Sequence, residues 1–423
     1  MTEIILAFTL FCLAVPFYVY MGYPILLFLL NNIFPKRKTL KADITPSVAL
    51  FVSCYNEQDV IEKKILNCLN LDYPKEKLEY IFISDGSEDE TDDIIKRFST
   101  QGIRLVRQEG RLGKTSGLNL AMPETNAEII VFSDANAIYD EQAIRQLVRS
   151  FNDPEVGYVV GAALYTDGEE NSAAKSEDTY WQYEMAMKKM ETNLHSVVGG
   201  DGAIYAIRKS LFDPLDREDI NDFVNPLQII AKGYRGIFEP DAKCFEETAG
   251  DFDKEGKRKE RIVNRSFRGL MKVKEVMNPL KTGFFSLEVI SHKLLRWLVP
   301  AFLLVATFGC LYLSFKGMPF FNVMVILGIV FLWLAGIGQM KSKSANIPSI
   351  FYYPYYFILV NTRSLLGIIA ALKGNIQITW SSPRQKTEAN NTLSTKYKLA
   401  VAIFTIVSAL VMLSSIHSLL FAS

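Results

Sequence analysis

The sequence predicts an α/β protein: a doubly wound, mostly parallel sheet in a soluble block, with membrane-spanning and interfacial α-helices at both ends. Three observations carry this expectation. Long apolar stretches stand at residues 4–30, 297–315, 320–340 and 399–421. Between them, from Ser47 to about Asn278, strand-like apolar runs alternate with amphipathic helical runs, the pattern of a parallel sheet. Two of the strand-like runs stop at an acid, Asp85 and Asp134, and in an open α/β sheet ligands bind outside the carboxyl ends of the strands.

The bulk composition narrows the function classes. A chain of 423 residues has room for one large domain plus membrane segments. Lys plus Arg and Asp plus Glu both total 46, so the chain lacks the basic footprint of a nucleic-acid binder. Cys12, Cys54, Cys68, Cys244 and Cys310 are scattered with no Cys-x-x-Cys. They read as apolar residues in a reducing compartment rather than a disulfide framework or zinc site. His195, His292 and His417 are too dispersed to suggest a metal cluster.

The first apolar stretch is long enough for a bilayer core of about 30 Å. It opens with Glu3 and no basic residue, unlike a secretory signal peptide. Lys36-Arg37-Lys38 follows it, which places the N-terminus outside and residue 36 onward in the cytoplasm. A helical hairpin is expected over 297–315 and 320–340, turning at Lys316-Gly317-Met318-Pro319 and returning at Lys341-Ser342-Lys343. Lys396 and Lys398 precede a last span over 399–421. Residues 350–372 carry Asn361-Thr362-Arg363 at their middle and are followed by basic residues, so they read as interfacial or re-entrant. Residues 284–296, with His292 and Lys293, read as another interfacial helix. The expected division is a transmembrane helix at 1–34, a cytosolic catalytic domain at 45–280, and interfacial and transmembrane helices at 281–423.

Within the soluble block, strands are expected at 47–52, 78–83, 103–106, 129–132, 156–160 and 203–207. Helices are expected at 60–69, 91–98, 113–121 and near 141–151. Asp85-Gly86-Ser87 reads equally as a turn or as a ligand contact. Tyr55-Asn56-Glu57 ends a neighbouring strand in the same way, so the two together suit one nucleoside pocket with Tyr55 stacking; Glu57 alone reads as a helix N-terminal acid. Gly110-Arg111-Leu112-Gly113-Lys114-Thr115 has two residues between its glycines where a Walker loop has four, which excludes an ATPase reading. Lys114 at a helix start still suits a diphosphate or a base carbonyl, or is simply solvated. Asp134-Ala135-Asn136 sets two oxygen-bearing side chains two positions apart, suiting Mg²⁺ or Mn²⁺ completed by substrate phosphates, or else a helix cap. Gly199-Gly200-Asp201-Gly202-Ala203 lets backbone approach a ligand closely, or forms a tight turn. Asp222 stands in an acidic run, 218–222. Arg258-Lys259-Glu260-Arg261-Ile262 is a basic helix suited to lipid head groups or to a leaving diphosphate.

The order of these motifs resembles the membrane-embedded family-2 glycosyltransferases, the group containing bacterial cellulose, hyaluronan and poly-N-acetylglucosamine synthases. The matching residues run from Tyr55-Asn56-Glu57 through Asp85-Gly86-Ser87, Gly113-Lys114, Ser133-Asp134-Ala135-Asn136, Gly199 to Ala203 and Asn221-Asp222 to about Arg384. Tyr180-Trp181-Gln182-Tyr183-Glu184 is similar to the family's acceptor-side helix, and Thr379-Trp380 with Arg384 to its gating loop. The resemblance implies a GT-A-type doubly wound mixed sheet at the plasma (inner) membrane. It implies Tyr55, Glu57 and Asp85 on the uridine of a UDP-sugar donor. Lys114, Arg258 and Arg261 would serve the nucleotide sugar, Asp134 with Asn136 the metal, and Asp222 would be the catalytic base. Gly200, Asp201, Gly202, Trp181 and Trp380 would line the acceptor side. Three departures stand out: Asn136 in place of the usual Asp, Asn221-Asp222 in place of two acids, and Ile262 in place of the Trp that follows the family's Arg. The implied activity is inverting transfer of a hexose, N-acetylglucosamine or glucose, to a growing polysaccharide with export across the membrane. Membrane lipids and accessory export or biofilm-assembly proteins are the implied partners. The alternatives are single transfer to a polyprenyl phosphate or glycolipid, and a catalytically silent membrane scaffold.

Overall fold

The computed structural model describes residues 1–166, 172–246, 252–342, 347–376 and 395–421. In chain order the elements are α1 (Thr2–Phe17), α2 (Tyr23–Ile33), β1 (Val48–Cys54), α3 (Ile61–Leu69), β2 (Leu78–Ser84), α4 (Thr91–Arg97), β3 (Ile103–Arg107) and α5 (Lys114–Ala121). Next come β4 (Ile129–Asp134), β5 (Ile138–Tyr139), α6 (Ala143–Val148), β6 (Val156–Tyr165), α7 (Ser172–Leu194), β7 (Tyr205–Arg208), α8 (Asn221–Ala231) and β8 (Arg235–Glu246). The chain continues with α9 (Phe252–Lys272), α10 (Pro279–Thr282), α11 (Phe284–Val289), α12 (Leu295–Phe315), α13 (Pro319–Met340), α14 (Ser349–Leu372) and α15 (Thr395–Phe421).

The strands form one mixed sheet in the order β3-β2-β1-β4-β7-β6-β8-β5. Its first half, β3-β2-β1-β4, is parallel throughout; β7 is antiparallel to both neighbours and β6 pairs β8 in parallel. Strand β1 is buried along its whole length, as a central strand covered on both faces must be. Its register places Cys54 opposite Ser84 and Ser53 opposite Asp134, so the ends of β1, β2 and β4 stop at one level. One face is covered by α3, α4 and α6. The other is covered by α5, α8 and α9, and that second core runs on without a break into Phe285, Val289, Trp297 and Ile368. The catalytic-type domain and the membrane-edge helices therefore share a core.

Among the described residues, four helices are long and apolar enough to cross a membrane: Thr2–Ile33, Phe284–Phe315, Pro319–Met340 and Ser349–Leu372. The segment expected to be a separate interfacial helix, 284–296, is instead continuous with the following span. The polar residues that suggested an interface face protein rather than lipid head groups. His292 Nδ1 lies 2.6 Å from Glu191 and Nε2 lies 2.9 Å from Glu184, both on α7. Residues 349–372 form one unbroken helix whose Arg363 meets Glu260 of α9 at 3.0 Å, which accounts for a cation at mid-helix. In α15 the apolar stretch that meets the composition of a span is shorter, Thr405–Leu420, and it is held to the hairpin by Trp333 Nε1 donating to Ser408 at 2.9 Å and Asn322 to Ser418 at 3.1 Å.

Candidate active site

The site is built on the level strand ends. Asp85 follows β2 directly and is 1% exposed. Its Oδ1 accepts from Gln108 Nε2, Leu112 N and Gly113 N, each at 2.8 Å, while Oδ2 is buried without a partner among the described residues. Burial raises its pKa, against the lowering effect of the two backbone donors and of Arg111 and Arg217. Gly86 has φ +70°, and a Cβ there would stand 2.7 Å from Gly110 O; the glycine is required both by the turn and by the close approach of the 110–113 loop. Tyr55 is buried beneath the Arg111 guanidinium, 4.0 Å from the ring centroid. Asn56 takes the left-handed conformation, φ 50°, and its Oδ1 accepts from Glu88 N at 2.9 Å; the Glu57 N–H donates to Thr91 at 2.8 Å. Tyr55, Glu57 and Asp85 thus come together as expected, with Gln108 and Arg111 added to them. Arg111 lay in a loop the sequence marks; Gln108 carries no sequence signal beyond following a strand.

Beside this pocket Asp134 ends β4, and Lys114 Nζ sits 2.5 Å from its Oδ1 and 3.5 Å from Gly202 O. Across the space stands Asp222, in the first turn of α8. Its Oδ1 is buried and without a partner among the described residues. A Cβ on Gly202 would lie 3.2 Å from Asp222 Oδ2 and 3.6 Å from Asp134 Oδ2, so both carboxylates face one small cradle that the glycine leaves open. The Asp222 pKa is raised by burial first; Asp201 and Asp134 raise it further, while Lys114 and Arg265 lower it. Gly200 N donates to Asp222 O at 2.5 Å, tying the 199–203 loop to the start of α8.

Asp201 points toward α7 rather than into the cradle. It pairs with Lys188 at 3.5 Å and caps Ala203 N at 3.2 Å. Lys188 is buried, 4.5 Å from the centroid of the Trp181 ring, and Trp181 Nε1 is a buried donor without a partner among the described residues. Arg261 lies in the field of both Asp134 and Asp222; burial and the neighbouring Arg265 and Arg258 lower its pKa to about 10. Arg258 sits farther out and pairs with Glu255 at 3.4 Å. Arg265, which the sequence did not single out, ties α9 to the loop before α8 by donating to Glu218 O, Thr115 Oγ1 and Asp219 O. Glu246, at the end of β8, has its pKa pushed up to about 7 by burial and by Asp134 and Asp201. Trp380, Thr379 and Arg384 lie outside the described residues.

The donor set suits a hard cation, Mg²⁺ or Mn²⁺, of the kind that borrows substrate phosphates. Asp134 already holds a positive group, the Lys114 ammonium, at the mouth of the cradle, and Asn136 is a half-buried oxygen donor two positions on. Among the described residues no three His, Cys, Asp or Glu side chains gather into a ready-made cation cage.

A mixed α/β sheet with acids at level strand ends, a glycine cradle and a helix-borne carboxylate opposite defines a GT-A-like nucleotide-sugar fold. The fold finds the same counterpart in a mannosyltransferase from Pyrobaculum calidifontis solved in complex with GDP-Man and Mn²⁺. The two superpose with a TM-score of 0.67 at 18% identity, over 86% of this chain and 99% of that one. Residues 49–215 match the family model of glycosyl transferase family 2, so the chain carries a family-2 glycosyltransferase domain among helices suited to a membrane. The poly-β-1,6-N-acetyl-D-glucosamine synthase of Staphylococcus aureus is 27% identical over 253 residues, 56% of this chain. The probable glycosyltransferase YdaM of Bacillus subtilis is 34% identical over 137 residues, 31% of this chain. The match covers 61% of the length of the staphylococcal synthase and 32% of YdaM. The family match ends at residue 215, before Asp222 and Arg261.

Proposed function

We propose that this protein is an inverting membrane hexosyltransferase, with residues 45–280 as a cytosolic catalytic domain that moves a hexose from a UDP-sugar to a growing polysaccharide. N-Acetylglucosamine is the first choice of sugar, on the likeness to the staphylococcal synthase, and glucose the second. The observation that carries the reading is the Asp222 carboxylate, buried, with one oxygen unpartnered and the other facing Asp134 across Gly202. Asp85 Oδ2 is the free acceptor for the donor's base, and Tyr55 with Arg111 supplies its stacking wall. Asp222 takes the proton of an acceptor hydroxyl as that oxygen bonds to the anomeric carbon, and the bond from that carbon to the diphosphate breaks. Arg261 and Lys114 neutralise the departing diphosphate. A divalent cation held by Asp134 and Asn136 would supply Lewis-acid stabilisation of the same leaving group. Trp181, beside Lys188, forms the acceptor wall.

Asp222→Asn in the detergent-solubilised full chain is expected to cut transfer by roughly a hundred- to ten-thousand-fold while UDP binding survives. Near-normal turnover would remove Asp222 from the role. A panel of labelled nucleotide sugars with Mn²⁺ identifies the donor. Ile262, where the processive relatives carry a Trp stacking wall, favours a second reading: one sugar placed on a lipid-linked acceptor. Product sizing separates long chains from single additions.

A further inference from the structure

Helix α3 carries an anomaly that the proposed chemistry does not use. Its buried stripe is Ile61, Lys64, Ile65 and Cys68, so a lysine occupies a core position, with no exposure at all. Burying an ammonium is costly unless it is fully hydrogen-bonded. No carboxylate is recorded within ion-pair distance of Lys64 among the described residues; its partners are neutral. Nζ donates to Ser133 Oγ at 2.9 Å and to Ala137 O, and it faces the Tyr139 ring 4.1 Å from the centroid. Ser133 Oγ in turn donates to Asp134 O at 3.1 Å. The ammonium therefore brackets Asp134-Ala135-Asn136 from both sides, at residues 133 and 137.

One turn further along α3, Asn67 continues the same bracing. Its Nδ2 donates to Tyr139 O at 2.8 Å and its Oδ1 accepts from Tyr139 N at 2.9 Å. The single proton of the Tyr139 hydroxyl is then shared between Phe132 O and Ala203 O, both at 3.1 Å. Ala203 closes the loop that holds Gly202, the floor of the cradle between Asp134 and Asp222. A single helix thus reaches the turn that carries the cation-binding pair and, through one tyrosine, the loop opposite.

We propose that Lys64 is a positioning residue for the cation-binding turn, holding Asp134 and Asn136 in register with the Gly202 cradle through Ser133 and Ala137. The inference rests on the reading of Asp134 as the cation site. Groups that orient the shell around a metal are worth about ten- to a hundred-fold in affinity. A lysine acting only as a nearby charge would have the opposite sign, because its removal would relieve repulsion and tighten cation binding.

The test titrates Mn²⁺, by its electron paramagnetic resonance signal, into full-length protein saturated with UDP. Wild type, Lys64→Met and Lys64→Gln are compared, with UDP affinity without metal and Tm measured alongside. Lys64→Met is expected to weaken Mn²⁺ binding about tenfold while metal-free UDP affinity, set at Asp85, changes less than about twofold. Lys64→Gln, a neutral donor able to reach the same oxygens, is expected to recover part of the loss. Unchanged or tightened Mn²⁺ binding in Lys64→Met overturns the proposal. So does a loss in both variants that tracks a fall in Tm and in UDP affinity, since that is the behaviour of a general packing residue. Wild type that binds UDP but no Mn²⁺ would instead overturn the cation site itself.

Discussion

The two halves of the sheet hold their share of the site by different means. On the proposed donor side, Tyr55, Asp85 and Asp134 are placed by backbone: each sits at or just past the end of a parallel strand, and ladder register brings the three to one level. On the proposed acceptor side, Asp222 and Trp181 sit on helices and Asp201 in a loop, and packing and side-chain bonds bring them in. The contrast teaches where each half is brittle. The donor side should fail through lost hydrogen bonds and backbone strain, the acceptor side through small errors of position and charge.

Asp85→Ala breaks the comparison hardest. It strips the shared acceptor from Gln108 Nε2, Leu112 N and Gly113 N. Leaving buried donors unsatisfied costs about 1–3 kcal/mol each before relaxation. A clear drop in Tm together with loss of UDP binding by calorimetry is expected; a stable variant with intact UDP affinity would show that the donor half is not organised around this carboxylate.

Gly202→Ala is the matching test across the cradle. Its methyl would stand 3.2 Å from Asp222 Oδ2 and 3.6 Å from Asp134 Oδ2, crowding the reacting space without touching the uridine side. Asp222 must give by a few tenths of an ångström. A full misplacement of about 1 Å costs about a hundredfold in rate, so a smaller fall in kcat, on the order of tenfold, is expected while UDP affinity and Tm hold. Equal loss of UDP affinity would merge the two halves into one.

The smallest effect is on pH. Asp222 must be ionised to act as a base, and its pKa is raised by burial, with Asp201 adding to the rise. Activity should therefore climb with pH through a limb lying above the ordinary aspartate value of about 3.9. Asp201→Asn removes a negative charge and leaves the Lys188 cation nearby, so the limb should move to lower pH. A pH–kcat/KM profile checks the direction; a limb that moves upward, or not at all, would detach Asp201 from the base.

The same contrast governs how much was legible in the sequence. Strand ends followed by Tyr-Asn-Glu, Asp-Gly-Ser and Asp-Ala-Asn are local signals, because register and level follow from the apolar runs themselves. Gln108, Arg265, Lys188 and Glu246 are not local: each matters through a partner far along the chain, and nothing beside them in sequence announces it. Lys64 was not singled out in the sequence either, and its place among Ile61, Ile65 and Cys68 on the buried stripe of α3 became clear only in the structure. The membrane reading divides in the same way. Hydropathy found the hairpin, but the polar pair His292-Lys293 suggested a break where the structure has one helix, because Glu184 and Glu191, a hundred residues away, take up the imidazole.

By itself the sequence determined the alternating strands and helices, the apolar spans and the identity of the strand-end acids, since these depend on periodicities of a few residues. Only the tertiary structure decided that Asp222 faces Asp134 across Gly202, that Asp201 turns away to Lys188, and that Lys64 of α3 bonds to residues 133 and 137 on either side of Asp134-Ala135-Asn136. Those are meetings between distant segments, and they are set by how buried polar groups find partners once the core has closed.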